Sequence, residues 1–509
     1  MKVNQLRAGV VMTYLNIGLG SFIPFLYTPI MLRLLGQSEY GLYSLANSVV
    51  GYLSLLSFGL GSTIVRYVAK YRAEENKEQE EKVIGLFILM YSVLSILVLA
   101  AGWIISCNVG PIFHRGLTDA EIDKIAVLVR IMAFNTAISF PISVFGSIVM
   151  AHERYIYRQA VNILSTIAAP CGNLIALYLG FGSIGLTIVT TVIQFTMLPL
   201  NAVYCFKVLQ VRPRFRRLPV GLIKELMQFS VFIFLGSVVD MLFWATDKVV
   251  LGMLASTAVV AVYNIGGSFN VMMTNISTAF SGVLTPKVTV MVTRDASQGQ
   301  LTELFIRIGR LQYLMIALAL SGFIVFGRQF IILWAGPDYE SAYYIALATL
   351  IPLAVPLIQN TGLSIVVAQN KHQFRSIVYL VIAVLNVIST YLVVPHWGAL
   401  GAAVCSGISY TVGQIIIMNI YYYKVTRLDI LAFWTNIAKM SVIPGSMIIV
   451  GILGIWKMDL SSWGTLLLMI LIYTIIYAAG MYFLSMNDYE KDVVRKPVIK
   501  VMRKIRVLK

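Results

Sequence analysis

Two aspartates inside an apolar stretch are the residues of this chain whose type and spacing most clearly suggest chemistry. Asp240 and Asp247 are seven residues apart, which on one α-helix places both carboxylates on the same face, about 10 Å apart along the axis. Trp244 shares that face. An ionisable side chain at the centre of a bilayer costs about 2.5–3.5 kcal/mol and needs a partner or a function. One interpretation is a carboxylate in a watery cavity that binds a coupling proton or Na⁺; the other is a structural Asp bonded to a neighbouring helix.

A second set of polar residues could contact a substrate. Arg33, Arg66 and Lys248 could hold an anionic group, because a guanidinium binds phosphate through a bidentate fork. For Arg33 and Arg66 the alternative is an interfacial anchor. Four asparagines suit sugar hydroxyls or neighbouring helices equally well: Asn16, Asn47, Asn264 and Asn270. With Trp244, these residues form the predicted substrate-binding set, and Pro24 and Pro29 are candidate hinges or packing features of the first apolar run.

The sequence motifs of several common activities are absent from this chain. There is no GxxxxGK[ST] segment for ATP, no HExxH, no GxSxG and no TVGYG filter. The four cysteines contain no CxxC pair, which argues against a disulfide framework or a zinc site: Cys107, Cys171, Cys205 and Cys405. The sequence therefore predicts a protein that is not an enzyme and uses no cofactor and no metal.

The composition predicts where these residues must sit. The chain has 509 residues, of which 59% are hydrophobic and 12% charged, and its mean hydropathy is +0.83. A soluble domain is about half apolar, so this chain is expected to lie in a lipid bilayer. The net charge of +17 does not require nucleic acid as a partner, because cytoplasmic loops of membrane proteins collect Lys and Arg.

Fourteen apolar runs are long enough to cross a bilayer, and each must be a helix because a lone span has to satisfy its own backbone hydrogen bonds. The sequence thus predicts an all-α polytopic membrane protein with about fourteen spans. The predicted spans are 10–32, 41–65, 83–108, 125–150, 159–180, 184–206, 226–254, 257–285, 304–327, 341–369, 376–395, 399–423, 436–456 and 463–485.

The distribution of basic residues orients these spans. With the N-terminus inside, most of the 39 Lys and Arg residues fall in inside loops or tails, and Lys248 falls within a span. The few that fall outside are Arg33, Arg115, Lys124, Arg130, Arg328 and Lys457. This asymmetry predicts that both termini are inside.

The sequence also repeats itself weakly at an offset of about 216–220 residues. The matches, in the same order in both halves, include Gly20-Ser21 with Gly236-Ser237, Gly36 with Gly252, and Gly182-Ser183-Ile184-Gly185 with Gly398-Ala399-Leu400-Gly401. Six spans per repeat is an even number, so the halves should be parallel. The predicted organisation is a six-helix lobe over 1–215, a second over 216–430, two appended spans over 431–485 and a basic tail over 486–509. The last dozen residues of that tail are expected either to form an amphipathic helix on the inner leaflet or to be disordered.

This plan resembles the multidrug/oligosaccharidyl-lipid/polysaccharide exporter superfamily, and two segments resemble its polysaccharide (Wzx-type) flippases. Residues 35–43, LGQSEYGLY, are similar to the LGxxxYGxY segment between the first two spans, and residues 247–252, DKVVLG, are similar to the end of the seventh. The resemblance implies a flippase in the bacterial cytoplasmic membrane that translocates an undecaprenyl-pyrophosphate-linked oligosaccharide for surface polysaccharide assembly. It also implies alternating access, in some members with an ion gradient, and a polysaccharide polymerase machinery as a partner.

Two other functions remain open, one from the residues and one from the resemblance. A cation-coupled multidrug exporter would use acidic and aromatic walls, which Asp240, Asp247 and Trp244 would suit. A lipid II flippase would share the fourteen-span plan. Few Lys or Arg residues lie deep in the spans, where a pyrophosphate would require them.

Overall fold

The computed structural model describes residues 5–219, 221–294, 296–369, 371, 373–455, 459–493 and 495. Within these ranges the chain is helical and contains no strand, so the prediction of an all-α polytopic membrane protein is confirmed. The helices are α1 (Gln5–Leu35), α2 (Gln37–Ser54), α3 (Leu60–Ala73), α4 (Lys77–Cys107), α5 (Val109–Phe113), α6 (Asp119–Ala151), α7 (Tyr155–Tyr178), α8 (Gly182–Lys207), α9 (Leu222–Trp244), α10 (Thr246–Leu254), α11 (Thr257–Thr293), α12 (Gln298–Trp334), α13 (Ala342–Ile358), α14 (Asn360–Ala368), α15 (Gln373–Tyr410), α16 (Met418–Lys424), α17 (Ile430–Ile455) and α18 (Trp463–Gly480).

Eleven helical segments of the described residues are long and apolar enough to cross a membrane, and a shorter apolar helix covers Phe234–Trp244. One of the eleven, Gln373–Lys424, has 52 residues, which is length enough for two spans of about 20 residues each. Eleven segments do not confirm the predicted number of fourteen spans.

Polar residues in the loops start several of these helices. The side chain of Asn76 accepts a hydrogen bond from the Gln79 backbone N–H at the start of α4, and Ser297 does the same for Gln300 at the start of α12. Such caps satisfy backbone donors that a helix N-terminus leaves unpaired. Long apolar helices with polar capped ends are what the alternation of apolar runs and short polar breaks predicts.

The chain forms two compact units. The first unit comprises residues 1–264 and 383–402, and the second comprises residues 265–382 and 403–509. In the first unit α4 packs along α6, α1 packs along α7, and α8 contacts both α6 and α7; in the second, α12 is the central helix and contacts α13, α17 and α18. The predicted lobes with a boundary at residue 215, which rest on the sequence repeat, stay a prediction.

Two glycines that the repeat aligns adopt the same unusual backbone conformation. Gly182 has φ of 57° and Gly398 has φ of 54°, a left-handed region that favours glycine. Gly182 begins α8, and Gly398 interrupts the helical geometry of α15. The repeated glycine therefore has one local role, a sharp change of backbone direction next to a span.

The beginning of the C-terminal tail is part of the second unit. Residues 488–493 are helical, and Glu490 in this segment is buried against Arg310 of α12. The amphipathic helix considered for the last dozen residues lies outside the described residues.

Candidate substrate-binding cavity

Four helices of the first unit line a polar cavity of about 530 Å³, a volume within the range of about 300–1,000 Å³ that small-molecule sites occupy. We refer to it as the polar cavity. Helices α2, α6, α7 and α8 each contribute to its wall. Its lining residues are Tyr43, Asn47, Val50, Gly51, Ser54, Met132, Asn135, Thr136, Ser139, Phe140, Val161, Asn162, Ser165, Thr187, Thr190, Gln194, Met197, Leu198 and Asn201.

The polar groups of this wall are amides and hydroxyls, and none of the lining residues is acidic or basic. Several hydroxyls donate to carbonyl oxygens of their own helix: Thr136 to Met132 at 2.9 Å, Ser139 to Thr136 at 2.7 Å, and Thr187 to Ser183 at 2.9 Å. A hydroxyl that satisfies its hydrogen in this way still offers lone pairs. These groups therefore present mainly acceptors to the cavity.

The five carboxamides supply the groups that can both donate and accept. Asn47 donates to the Tyr43 carbonyl at 2.9 Å through Nδ2. Among the five, Asn201 Oδ1 is buried and accepts no hydrogen bond from the described residues. A buried polar atom without a partner costs free energy unless water or a ligand bonds to it. The carboxamides of the wall can pair with groups that both donate and accept hydrogen bonds.

Only one of these five carboxamides, Asn47, belongs to the set predicted from the sequence. The signal that would have found others is a polar stripe in an apolar span, since Thr187, Gln194 and Asn201 follow one another at intervals of seven on α8. Residues seven apart share a helix face. Helix α6 carries a second such stripe, since Asn135 and Ser139 are four residues apart in an apolar span and both line the cavity.

A second polar cluster lies around the start of α10. Asp247 is 1% exposed and accepts hydrogen bonds from the hydroxyls of Tyr263 and of Thr390, the latter at 3.4 Å. Lys248 Nζ donates to Asn264 Oδ1 at 2.9 Å, and Asn264 Nδ2 donates to the Tyr40 hydroxyl at 2.6 Å. Lys248 and Asn264 are thus two predicted site residues that the structure brings into contact.

The two aspartates lie in different environments. Asp240 is exposed at the surface of the first unit, whereas Asp247 is buried. The helix is interrupted at Ala245, between α9 and α10, so the angle of 100° per residue does not carry from one aspartate to the other. Trp244, the last residue of α9, is 36% exposed.

The other predicted site residues are dispersed. Arg33 and Arg66 are exposed, at the end of α1 and on α3. Asn16 donates to Gln159 Oε1 at 3.3 Å, and Asn270, in the second unit, exchanges hydrogen bonds with Thr349 at 2.9 and 3.0 Å. The candidate hinges Pro24 and Pro29 lie inside α1, which continues through both.

The LGQSEYGLY segment owes its residue types to close packing in the first unit. Gly36 has φ of 77° and precedes α2. Glu39 Oε1 accepts from the Ser183 backbone N–H at 2.8 Å and from Lys124 Nζ at 2.6 Å. A Cβ atom on Gly41 would lie 1.8 Å from the Thr257 carbonyl oxygen. The segment thus fastens the start of α2 to α8, α6 and α11.

Comparison with solved structures shows the fold of the whole chain. The lipid II flippase MurJ in an inward closed conformation has a TM-score of 0.71 at 16% identity, covering 96% of this chain and 99% of that chain. An inward-facing multidrug resistance MATE family transporter of the MOP superfamily has a TM-score of 0.57 at 16% identity, covering 79% and 92%. The Vibrio cholerae MATE transporter VcmN in its bent form has a TM-score of 0.54 at 14% identity, covering 80% and 94%.

The family assignment comes from the sequence. No curated protein matches the chain. The model of a protein family described as "Polysaccharide biosynthesis protein" matches residues 6–291, which is more than half of the chain. This agrees with the resemblance in residues 35–43 and 247–252, which is thereby confirmed. The chain belongs to the polysaccharide biosynthesis protein family.

Proposed function

We propose that the protein flips an undecaprenyl-pyrophosphate-linked oligosaccharide repeat unit across the cytoplasmic membrane by alternating access, for surface polysaccharide assembly. The observation that carries this proposal is the wall of the polar cavity, which consists of amides and hydroxyls without an acidic or basic residue. Sugar hydroxyls donate and accept at once, and a carboxamide matches both roles. The family and the fold support a membrane transporter or flippase at the coarser level.

The same wall argues against a cationic drug as the substrate. A cation taken from water into a low-dielectric cavity needs a carboxylate or an aromatic face to offset its lost hydration. The polar cavity offers Tyr43 and Phe140 as aromatic residues but no carboxylate. The multidrug exporter and the lipid II flippase remain the alternatives to this proposal.

Deletion of the gene in its native host, with lipid extraction and dye efflux measured side by side, tests the proposed substrate. We expect lipid-linked repeat units to accumulate while dye efflux stays unchanged, because translocation precedes polymerisation on the outer face. Normal surface polysaccharide with lost dye efflux would overturn the proposal in favour of a drug exporter.

Variants of the wall test the role of the polar cavity itself. We expect the double replacement Asn135→Leu with Gln194→Leu to reduce export about tenfold or more, since each hydrogen bond to the substrate contributes about 0.5–1.5 kcal/mol and an apolar side chain restores neither. The measurement is the rate of surface glycan appearance, normalised to protein level, in the deletion strain. Thr196→Val is the matched control, because Thr196 is exposed on α8 and does not line the cavity. Wild-type export by the double variant would exclude the cavity from the transport route.

The remaining site assignments belong to the same proposal. We assign ion coupling to Asp240 and Asp247. We assign contact with the anionic head of the substrate to Arg33, Arg66 and Lys248. Further substrate contacts are Asn16, Asn264, Asn270 and Trp244, and the hinges are Pro24 and Pro29. The buried Asp247, held by Tyr263 and Thr390, supports a role for this carboxylate. The same export assay tests the Asp→Asn variants. Lost export at a normal protein level indicates a role in coupling, whereas a reduced protein level indicates a structural role. We further propose that both termini face the cytoplasm and that the polymerase machinery receives the flipped unit.

A further inference from the structure

A buried carboxylate and a partly buried imidazole face each other where α4 begins and α6 ends. Glu80 Oε1 lies 3.5 Å from His152 Nε2, and the two side chains are 11% and 12% exposed. Within the described residues, this Oε1 accepts no hydrogen bond. A buried carboxylate oxygen without a donor is costly, so the position calls for a hydrogen between the two atoms.

The second nitrogen of His152 determines where that hydrogen must come from. Nδ1 lies 3.0 Å from the Ile148 carbonyl oxygen. A carbonyl only accepts, so Nδ1 carries a hydrogen and donates. In a neutral imidazole the other nitrogen, Nε2, then has only a lone pair to direct at Glu80. With an ionised Glu80 and a neutral His152, two acceptors would face each other at 3.5 Å.

We propose that Glu80 and His152 form a binding site for one proton, which is shared between Glu80 Oε1 and His152 Nε2. One proton turns the contact between two acceptors into a hydrogen bond and satisfies the buried carboxylate at the same time. Nothing in the transport proposal requires this site, and its test does not depend on the substrate.

Charged residues of α3, of α4 and of the segment after α6 lie near Glu80 and His152. Arg72 of α3 donates to the Ala151 carbonyl at 3.1 Å through Nη1 and acts on both members of the pair. Lys77 and Glu81 lie on α4 itself, and Arg154 follows α6. Burial lowers the pKa of His152, and Arg72 and Arg154 lower it further, although the Ile148 carbonyl opposes them. Burial and the two arginines thus disfavour a proton on the imidazole, whereas the Glu80 carboxylate at 3.5 Å favours one.

The site and the polar cavity share helix α6. Glu80 lies in the first turn of α4 and His152 directly follows α6, and these two helices pack along each other. Helix α6 also carries Asn135, Thr136 and Ser139 of the cavity wall. Loss of the proton places two acceptors against each other at this junction, so the pH of the adjoining aqueous phase acts on a helix that forms the cavity.

The pH dependence of stability tests the proposal on the purified full-length protein. In the unfolded chain Glu titrates at about 4.3 and His at about 6.5. Above about pH 6.5 the unfolded pair binds no proton while the folded pair binds one, so the unfolding equilibrium constant should rise about tenfold per pH unit until the site releases its proton. The stabilisation is thus fully present below about pH 6.5 and is lost as the pH rises. Thermal unfolding between pH 6 and 9 measures this slope.

Two replacements remove the shared proton and preserve a hydrogen bond. In Glu80→Gln the new amide can donate to His152 Nε2, and in His152→Gln it can donate to the Glu80 carboxylate. We expect the slope above pH 6.5 to disappear in both variants. Below pH 6.5 the Glu80→Gln variant should lose stability as the pH falls, because the lowered pKa of His152 keeps that imidazole neutral in the folded state.

The matched control is Glu78→Gln, which removes a carboxylate from the same helical turn. The side chain of Glu78 is 59% exposed and pairs with Lys82 at 2.8 Å, so this variant should keep the wild-type slope. A wild-type protein without the slope, or a slope retained in Glu80→Gln or in His152→Gln, would overturn the proposal. Because either replacement suffices to test it, failure of one variant to fold leaves the other decisive.

Discussion

Replacing Gly41 by Ala is expected to prevent the first unit from packing. The added Cβ atom would lie 1.8 Å from the Thr257 carbonyl oxygen and 2.6 Å from its carbon, and both are backbone atoms that cannot rotate away. Overpacking in a dense interior typically costs about 1–3 kcal/mol, occasionally more, and a clash of this size with backbone places the variant at or above the top of that range. The measurement is the yield of monodisperse protein together with its thermal unfolding midpoint.

Gly18→Ala provides the matched control. Gly18 lies in α1 of the same unit, and no atom would lie within 4 Å of an added Cβ. Alanine is favoured over glycine in a helix by about 1 kcal/mol, so the control should be as stable as the wild type or more so. If Gly41→Ala behaves like Gly18→Ala, the close approach of α2 to the start of α11 is wrong.

Replacing Glu490 by Gln is expected to destabilise the second unit by about 3–5 kcal/mol, the usual cost of removing one partner of a buried ion pair. Glu490 is fully buried, and Arg310 is 7% exposed. Arg310 Nε lies 2.5 Å from Glu490 Oε1, and Nη2 lies 2.9 Å from Oε2. Asn436 and the Ser485 carbonyl accept further hydrogens of Arg310, but neither supplies the negative charge that the variant removes. Thermal unfolding of the purified protein measures the loss.

An exposed pair of similar length is the control. Arg328 Nη2 lies 2.6 Å from Glu340 Oε1, but these side chains are 58% and 40% exposed. Water screens such a pair, and surface pairs contribute little, so Glu340→Gln should lower the midpoint far less than Glu490→Gln. The double replacement Arg310→Met with Glu490→Leu should recover most of the loss, because it leaves no unpaired charge buried. Equal effects of Glu490→Gln and Glu340→Gln would show that the tail segment does not dock on α12.

The membrane character, the helical class and the family could be predicted from the sequence. Hydropathy predicts spans without knowledge of their neighbours, because each helix satisfies its own backbone within the lipid. The LGQSEYGLY segment resembles the family because local geometry and close packing restrict its residue types: Gly36 has φ of 77° and Gly41 lies against a carbonyl. A local sequence pattern is sufficient to predict a feature where the physical constraint on its residues is local or very tight.

Contacts between distant parts of the chain required the tertiary structure. The carboxamides of the polar cavity come from four helices, and only Asn47 among them was predicted, because many Asn and Gln residues in spans simply bond to a neighbouring helix. Asp240 and Asp247 share a face only on an unbroken helix, and the interruption at Ala245 is not visible in their spacing. Glu490 and Arg310 are 180 residues apart. Hydropathy records how apolar a segment is, whereas the partner of a polar group depends on how helices pack. Helix packing therefore decided which polar groups are buried together, which are exposed and which face the cavity.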